Sequence, residues 1–382
     1  MKAGTTRIRT THQGTLPRSP ELKEQVTARE EGRPSDEAAL ARAIRHSVRE
    51  LVTRQTALGV DLVNDGEHSK SGFQYYARAR LSGHEPREYA PGDGPPYLNT
   101  AARDYRRFPG FFANRGEYRR KRSFVTAPIR YTGQAAVKTD IDNLKQALQG
   151  SSAEEGLLMV VSPGTIEHWL HDEYYGSAEK FLLAIADAMH EEYKAITDAG
   201  LIAHIDAPDF ADSWQIYPDM SVTQYHAYTE LRVEALNRAL RGVPADRVIV
   251  HMCWGSFHNP HTSDLPLTEI VDFLFRVNAQ AVSIEASNAR HEHEWTVFEK
   301  FKLPPGRILI PGVVGHASDI VEHPELVAQR LVRYAKLVGR ENVIGGTDCG
   351  LGSRVGHAEV AWAKLGALAE GARLASKTLW GA

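Results

Sequence analysis

Eight short, near-continuous apolar runs, most of them closing on a polar residue, limit what this chain can fold into. They occupy residues 8–12, 60–65, 157–162, 202–206, 248–251, 281–285, 308–312 and 343–347. Runs of this length read as strands buried on both faces, the pattern of a parallel sheet. Helical patterns lie between many of them. Ser35 is placed to N-cap a helix in which Leu40, Ile44, Val48 and Val52 recur at spacing four, and Gly59 stops it just before a strand. Residues 177 to 198 repeat the plan, with Phe181, Ile185, Met189 and Tyr193 on one face and Gly200 after it. Pro324 suits a first helical turn, and Gly339 ends the helix that follows. Strand, helix, glycine, strand, eight times over, predicts a single α/β domain, a (β/α)8 TIM barrel spanning residues 1–382. A doubly wound open sheet is the rival, but no G-x-G-x-x-G follows the first strand.

One segment breaks the alternation. Residues 85–130 are rich in Pro, Gly, Tyr and Arg, and 103–122 alone hold seven Arg and one Lys against two acids. The reading is a long basic excursion after strand two, lying over the barrel mouth, with a solvated or subunit-contact surface as the alternative. Nucleic acid is not the expected partner, because net charge is -3 and no recognition motif accompanies the patch. No run approaches the roughly 18 apolar residues of a membrane span. Residues 1–11 carry no apolar leader, so the expected setting is cytoplasmic. Homo-oligomerisation is expected of such a barrel.

The chemistry collects at the strand ends, where barrel active sites assemble. Cys253 and Cys349 are the only cysteines in 382 residues. Cys253 follows His251 at the end of the fifth run, Cys349 follows the eighth, and Glu285 ends the sixth. One imidazole, two thiolates and a carboxylate form a four-ligand set suited to Zn²⁺. Singly, each residue also fits an interior role, the cysteines as small hydrophobes and His251 as a satisfied histidine. Glu285 equally suits a general base or an ion-pair partner. Zinc with two sulfur ligands favours holding a further thiol as a nucleophilic thiolate over activating water. His258, His261, His291 and His293 form a second histidine group without four-ligand spacing, read as lid or surface residues.

The motifs that share these positions carry a resemblance. They are Thr11-His12-Gln13-Gly14-Thr15-Leu16-Pro17-Arg18, Asp65-Gly66-Glu67, Ser162-Pro163-Gly164-Thr165, Ile205-Asp206-Ala207-Pro208-Asp209, His251-Met252-Cys253-Trp254, Glu285, Pro311-Gly312-Val313-Val314-Gly315-His316 and Thr347-Asp348-Cys349-Gly350-Leu351. Together they resemble the cobalamin-independent methionine synthase superfamily in its single-barrel form. Within it, residues 251–258, Leu303-Pro304-Pro305-Gly306 and Gly352 are most similar to epoxyalkane:coenzyme M transferase. The resemblance implies zinc on His251, Cys253, Glu285 and Cys349, and a proton-donating His316. It also implies that Glu67 and Asp206 orient the substrate's amino group. Ala207 stands where methionine synthases carry a second acid, and those enzymes are expected to have an additional N-terminal barrel.

The function expected from this is attack of a zinc-held small-molecule thiolate on an electrophilic carbon, with His316 protonating the leaving heteroatom. Epoxide opening by coenzyme M is the first reading. Methyl transfer from a methylfolate or methylcorrinoid to homocysteine is the alternative. His12 and Arg18 are further candidates for substrate contact, with rim structure as their other role. Three rivals remain: a metal-dependent hydrolase, a metal-free barrel of the uroporphyrinogen decarboxylase type, and a non-enzymatic thiol- or corrinoid-binding protein.

Overall fold

The structure, a computed structural model, describes residues 1, 4–88, 100–113, 122–255 and 258–381. All eight apolar runs form barrel strands. In chain order these are Arg9–Thr10, Leu62–Asn64, Glu155–Val161, Ile202–Asp206, Val248–Met252, Ala281–Glu285, Ile308–Val314 and Ile344–Thr347. They make one parallel sheet in which each strand lies beside its successor, and strand one pairs with strand eight through Arg9–Ile344 and Thr10–Gly345. The seam between strands one and two is held by the Asp61 amide donating to the Thr10 carbonyl at 3.2 Å. Thr11 Oγ1 adds a bond to the Leu62 carbonyl at 3.0 Å. The sheet therefore closes into a (β/α)8 barrel.

Two apolar cores follow from this closure. Leu62, Leu157, Ile202, Ile249, Ala281, Ile308 and Ile344 fill the barrel floor, apart from the larger core between strands and helices. Side chains alternate along a strand. Two residues beyond the floor stand Asn64, Met159, His204, His251 and Ser283, and two beyond those come Asp206, Cys253 and Glu285. The chemistry thus rests on a dry apolar plug, a packed barrel core of the usual kind.

The helices are built as their punctuation predicts, with two corrections. Ser177 caps Ala178–Asp198, and Pro324 opens Pro324–Val338. The helix of residues 37–57 is capped one residue later than expected, by Asp36, whose side chain accepts from the Ala39 amide at 2.9 Å. Ser35 instead donates to Glu37. The eightfold strand–helix rhythm also weakens after strands five and six, where the only α-helices among the described residues are Val271–Arg276 and Val297–Lys300. There the chain length goes into the loops that build the rim.

The excursion after strand two is more regular than its composition suggests. Leu81–Arg87 runs antiparallel to Arg122–Tyr131, and Leu170–Asp172 joins as a third strand. Between the first two of these strands in sequence lies the short helix Ala102–Arg107. Residues 89–99 and 114–121, which hold several of the arginines counted above, lie outside the described residues. Among the described residues, no helix is long and apolar enough to cross a membrane.

Candidate metal centre

Strands five and eight carry His251, Cys253 and Cys349 to one point of the rim, where a ligand atom from each lies within 4.8 Å of the others. His251 and Cys253 are buried, Cys349 half-buried. His251 Nδ1 lies 3.0 Å from Ser283 Oγ on the neighbouring strand. With Nδ1–H donating there, the lone pair sits on Nε2, which is buried without a hydrogen-bond partner. The thiols complete the pattern. A Cys253 hydrogen bond to Cys349 pushes Cys349 well below the usual thiol range and Cys253 well above it, with His251 also favouring the Cys349 thiolate. A buried imidazole nitrogen without a hydrogen-bond partner, beside two cysteine sulfurs, is a donor set that fits a zinc ion.

Glu285 is not part of that three-residue group. Its Oε2 accepts from Asn288 Nδ2, while Oε1 is buried without a partner. Burial, then the nearby Asp348 and Cys349 charges, push its carboxyl well above the usual range. The loop behind it is pinned by Asp348, whose Oδ1 accepts from the Ala286 and Ser287 amides at 2.7 and 3.0 Å. Gly312 on strand seven makes room for this: a Cβ there would stand 2.6 Å from Asp348 backbone atoms.

Glu67 and Asp206 face the same rim. Glu67 is buried and sits at φ 57°, a left-handed conformation uncommon for a residue with a side chain. Asp65 Oδ1 accepts its amide at 3.0 Å, and Arg18 donates to its carbonyl at 3.0 Å. Burial raises the Glu67 carboxyl to about 7, with Lys70 opposing the shift. Asp206 is pushed well above its ordinary value by burial and by the Cys349 and Glu67 charges, and its Oδ1 is buried without a partner. The buried, unpartnered Asp206 oxygen is of the kind a cation or a hydrogen-bond donor satisfies. Arg18 and His12 have framework roles. The Arg18 guanidinium also donates to the carbonyls of His68, Lys70 and Ser71. His12 Nε2 donates to Gln55 Oε1 at 2.8 Å.

His316 follows strand seven. It is buried, and its Nδ1 has no partner among the described residues. Burial lowers its basicity, and the Cys349 charge opposes that. The preceding Gly315 amide donates to Glu322 Oε1 at 2.9 Å, and Glu322 is paired with the fully buried Lys364 at 3.0 Å.

Comparison with known proteins gives the family. Residues 111–373 match the family described as "Cobalamin-independent synthase, Catalytic domain". The chain belongs to that family. A methionine synthase of Sulfurisphaera tokodaii is 23% identical over 371 residues, 97% of this chain and 93% of that protein. The 5-methyltetrahydropteroyltriglutamate–homocysteine methyltransferase of Thermotoga maritima is 24% identical over 348 residues, 90% of this chain but 41% of that protein. Among solved structures, a B12-independent methionine synthase from Shewanella sp. W3-18-1 in complex with selenomethionine superposes with a TM-score of 0.75 at 22% identity, covering 98% of this chain and 100% of that one. The expectation that a methionine synthase carries a second barrel is therefore corrected: the Sulfurisphaera protein is matched across nearly its whole length by this one barrel.

In this cobalamin-independent synthase domain, several residues that matter were passed over in the sequence. Ser283 lay in plain sight, two residues before Glu285 and on the same strand face. Asp348 adjoins Cys349. Glu322 and Lys364 gave no local signal, because their pairing joins a loop to a helix 42 positions away. The Ser162–Thr165 motif has a structural explanation: its hydroxyls hold Asp209, with Thr165 Oγ1 at 2.7 Å. The second histidine group needs correction, because His291 is neither lid nor surface. It is buried between Asp264 and Glu294 and stacked on Trp254. The run His291-Glu292-His293-Glu294 looks solvated only because its charges alternate.

Proposed function

We propose that this chain is a zinc-dependent thiol methyltransferase, with homocysteine as acceptor and a methylfolate or methylcorrinoid as donor. The observation that carries the reading is the convergence of His251, Cys253 and Cys349, with His251 Nε2 left partnerless, in a barrel of this family. His251, Cys253 and Cys349 would hold the ion, with Glu285 turning its unpartnered oxygen inward as fourth ligand. Bound zinc supplies one thing, an acceptor thiol kept as thiolate at neutral pH.

The chain's own residues would do the rest. Ser283 keeps the His251 ring in the ligating tautomer. Glu67 and Asp206 take the acceptor's ammonium group, which answers their two desolvated carboxyls. His316 gives a proton to the leaving nitrogen or oxygen of the donor. The excursion of residues 85–130, within a single domain of residues 1–382, is the proposed roof of the mouth. The carboxylate pair favours an amine-bearing thiol over the amine-free coenzyme M, which the sequence resemblance put first. Ala207, together with the sequence likeness at residues 251–258 and 303–306, speaks for epoxide opening, since it removes the neighbouring acid from the rim.

A thiol panel tests this. Wild-type protein should methylate homocysteine and leave coenzyme M with an epoxide unreacted. Glu67→Gln should raise KM for homocysteine about 10–100-fold, the loss of one charged hydrogen bond. Turnover of coenzyme M with an epoxide, or an unchanged homocysteine KM in the variant, would overturn the assignment.

A further inference from the structure

The excursion is bolted to the loop that follows strand five. Asp104, on its helix Ala102–Arg107, is buried, and its Oδ1 accepts from Thr262 Oγ1 and the Ser263 amide, both at 3.1 Å. The Asp104 amide donates to Gln215 Oε1 at 3.2 Å. Arg103 beside it donates to the Tyr217 and Met220 carbonyls at 3.1 and 2.8 Å and lies over the Trp214 ring. The connection continues inward. Gln215 Nε2 donates to Asp264 Oδ1 at 2.8 Å, and Asp264 Oδ2 accepts from His291 Nε2 at 3.1 Å. His291 Nδ1 meets Glu294 Oε2 at 2.9 Å. Carboxylates only accept, so both ring nitrogens donate and the ring is an imidazolium. That ring lies flat on the Trp254 indole, centroids 3.6 Å apart and planes 10° from parallel. The indole is fixed at its other end by Nε1 donating to the Leu265 carbonyl at 2.7 Å. Trp254 is the residue after Cys253.

We propose that His291 is a positioning residue for Cys253, acting through the Trp254 stack, and that Gln215 and Asp264 tie it to the excursion, so that docking of the excursion helps set the metal-ligand loop. This rests on the metal reading above. A cation lying flat on an indole away from water is held by the ring's negative face. Here it bears on the backbone that aims a ligand. His261 reinforces the same node, with Nδ1 2.8 Å from Asp264 Oδ2. Burial alone would raise the Asp264 carboxyl, yet the His261 and His291 donors hold it below its usual range.

The test is Co²⁺ titration of the chelator-stripped protein, reading the thiolate-to-cobalt absorption and the affinity against a competing chelator. His291→Phe keeps an aromatic face on Trp254 and removes both donors. It should weaken Co²⁺ affinity about 10–100-fold, as loss of an outer-shell partner does, and alter the spectrum. Gln215→Leu leaves His291 in place and cuts the tie to the excursion, so it should shift affinity the same way by less. Gln215→Leu is read alone if His291→Phe does not fold. A lowered Tm with wild-type cobalt affinity and spectrum would reduce the network to ordinary packing and overturn the proposal. Cys349→Ala is the control: if it too keeps wild-type affinity, the metal reading has failed rather than the positioning role.

Discussion

Cys349→Ala is expected to lose both its metal and its turnover. Cys349 reaches the site from the end of strand eight, while His251 and Cys253 come from strand five, so the variant keeps only the strand-five pair and Glu285. Outer-shell changes alone weaken metal sites about 10–100-fold, and removing a ligand must exceed that. The fold should tolerate the change. Cys349 is half-buried, small and outside the apolar core, so the Tm of the metal-free protein should move little. Metal content by elemental analysis and turnover should therefore fall together while circular dichroism stays native. A variant that keeps stoichiometric zinc and full activity would remove Cys349 from the ligand set.

His316→Asn should separate metal binding from chemistry. His316 stands apart from the ligand group, on a loop held by the Glu322–Lys364 pair rather than by the metal residues. Asparagine fits the same space and retains a hydrogen-bonding group, but it gives up no proton near neutral pH. Zinc content and KM for the thiol should stay near wild type, while kcat drops about 10²–10⁴-fold, the usual contribution of a general acid. A more acidic leaving group on the donor should recover part of the loss, because it needs protonation less. Unchanged turnover would take His316 out of the mechanism.

The barrel was legible because burial on both faces leaves little freedom in the sequence. A strand such as Ala281–Glu285 is apolar but for Ser283 until it ends on Glu285 at the rim, where the site lies. The three-residue centre was legible for the same reason, since two lone cysteines at strand ends have few other uses. What escaped was set by side-chain direction and by distant pairing. Whether Glu285 reaches the other ligands depends on a rotamer that Asn288 and the Asp348-pinned loop decide. His291 reads as surface until Trp254 folds beneath it. The excursion's strands read as loop because they form a small separate sheet, whose strand Leu81–Arg87 is mostly half-buried or exposed and never a continuous apolar run. Arg18, a candidate for substrate contact with rim structure as its other role, donates from both terminal guanidinium nitrogens to backbone carbonyls from Glu67 to Ser71, a use that no local motif announces.

Zinc K-edge absorption of the purified protein, with and without homocysteine, tests the central claim most directly. One zinc per chain is expected, bound at rest by two sulfurs at about 2.3 Å, the usual zinc–thiolate distance, and by lighter atoms. Adding homocysteine should raise the sulfur count by one. Zinc without sulfur neighbours, or a coordination sphere indifferent to the thiol, would contradict it.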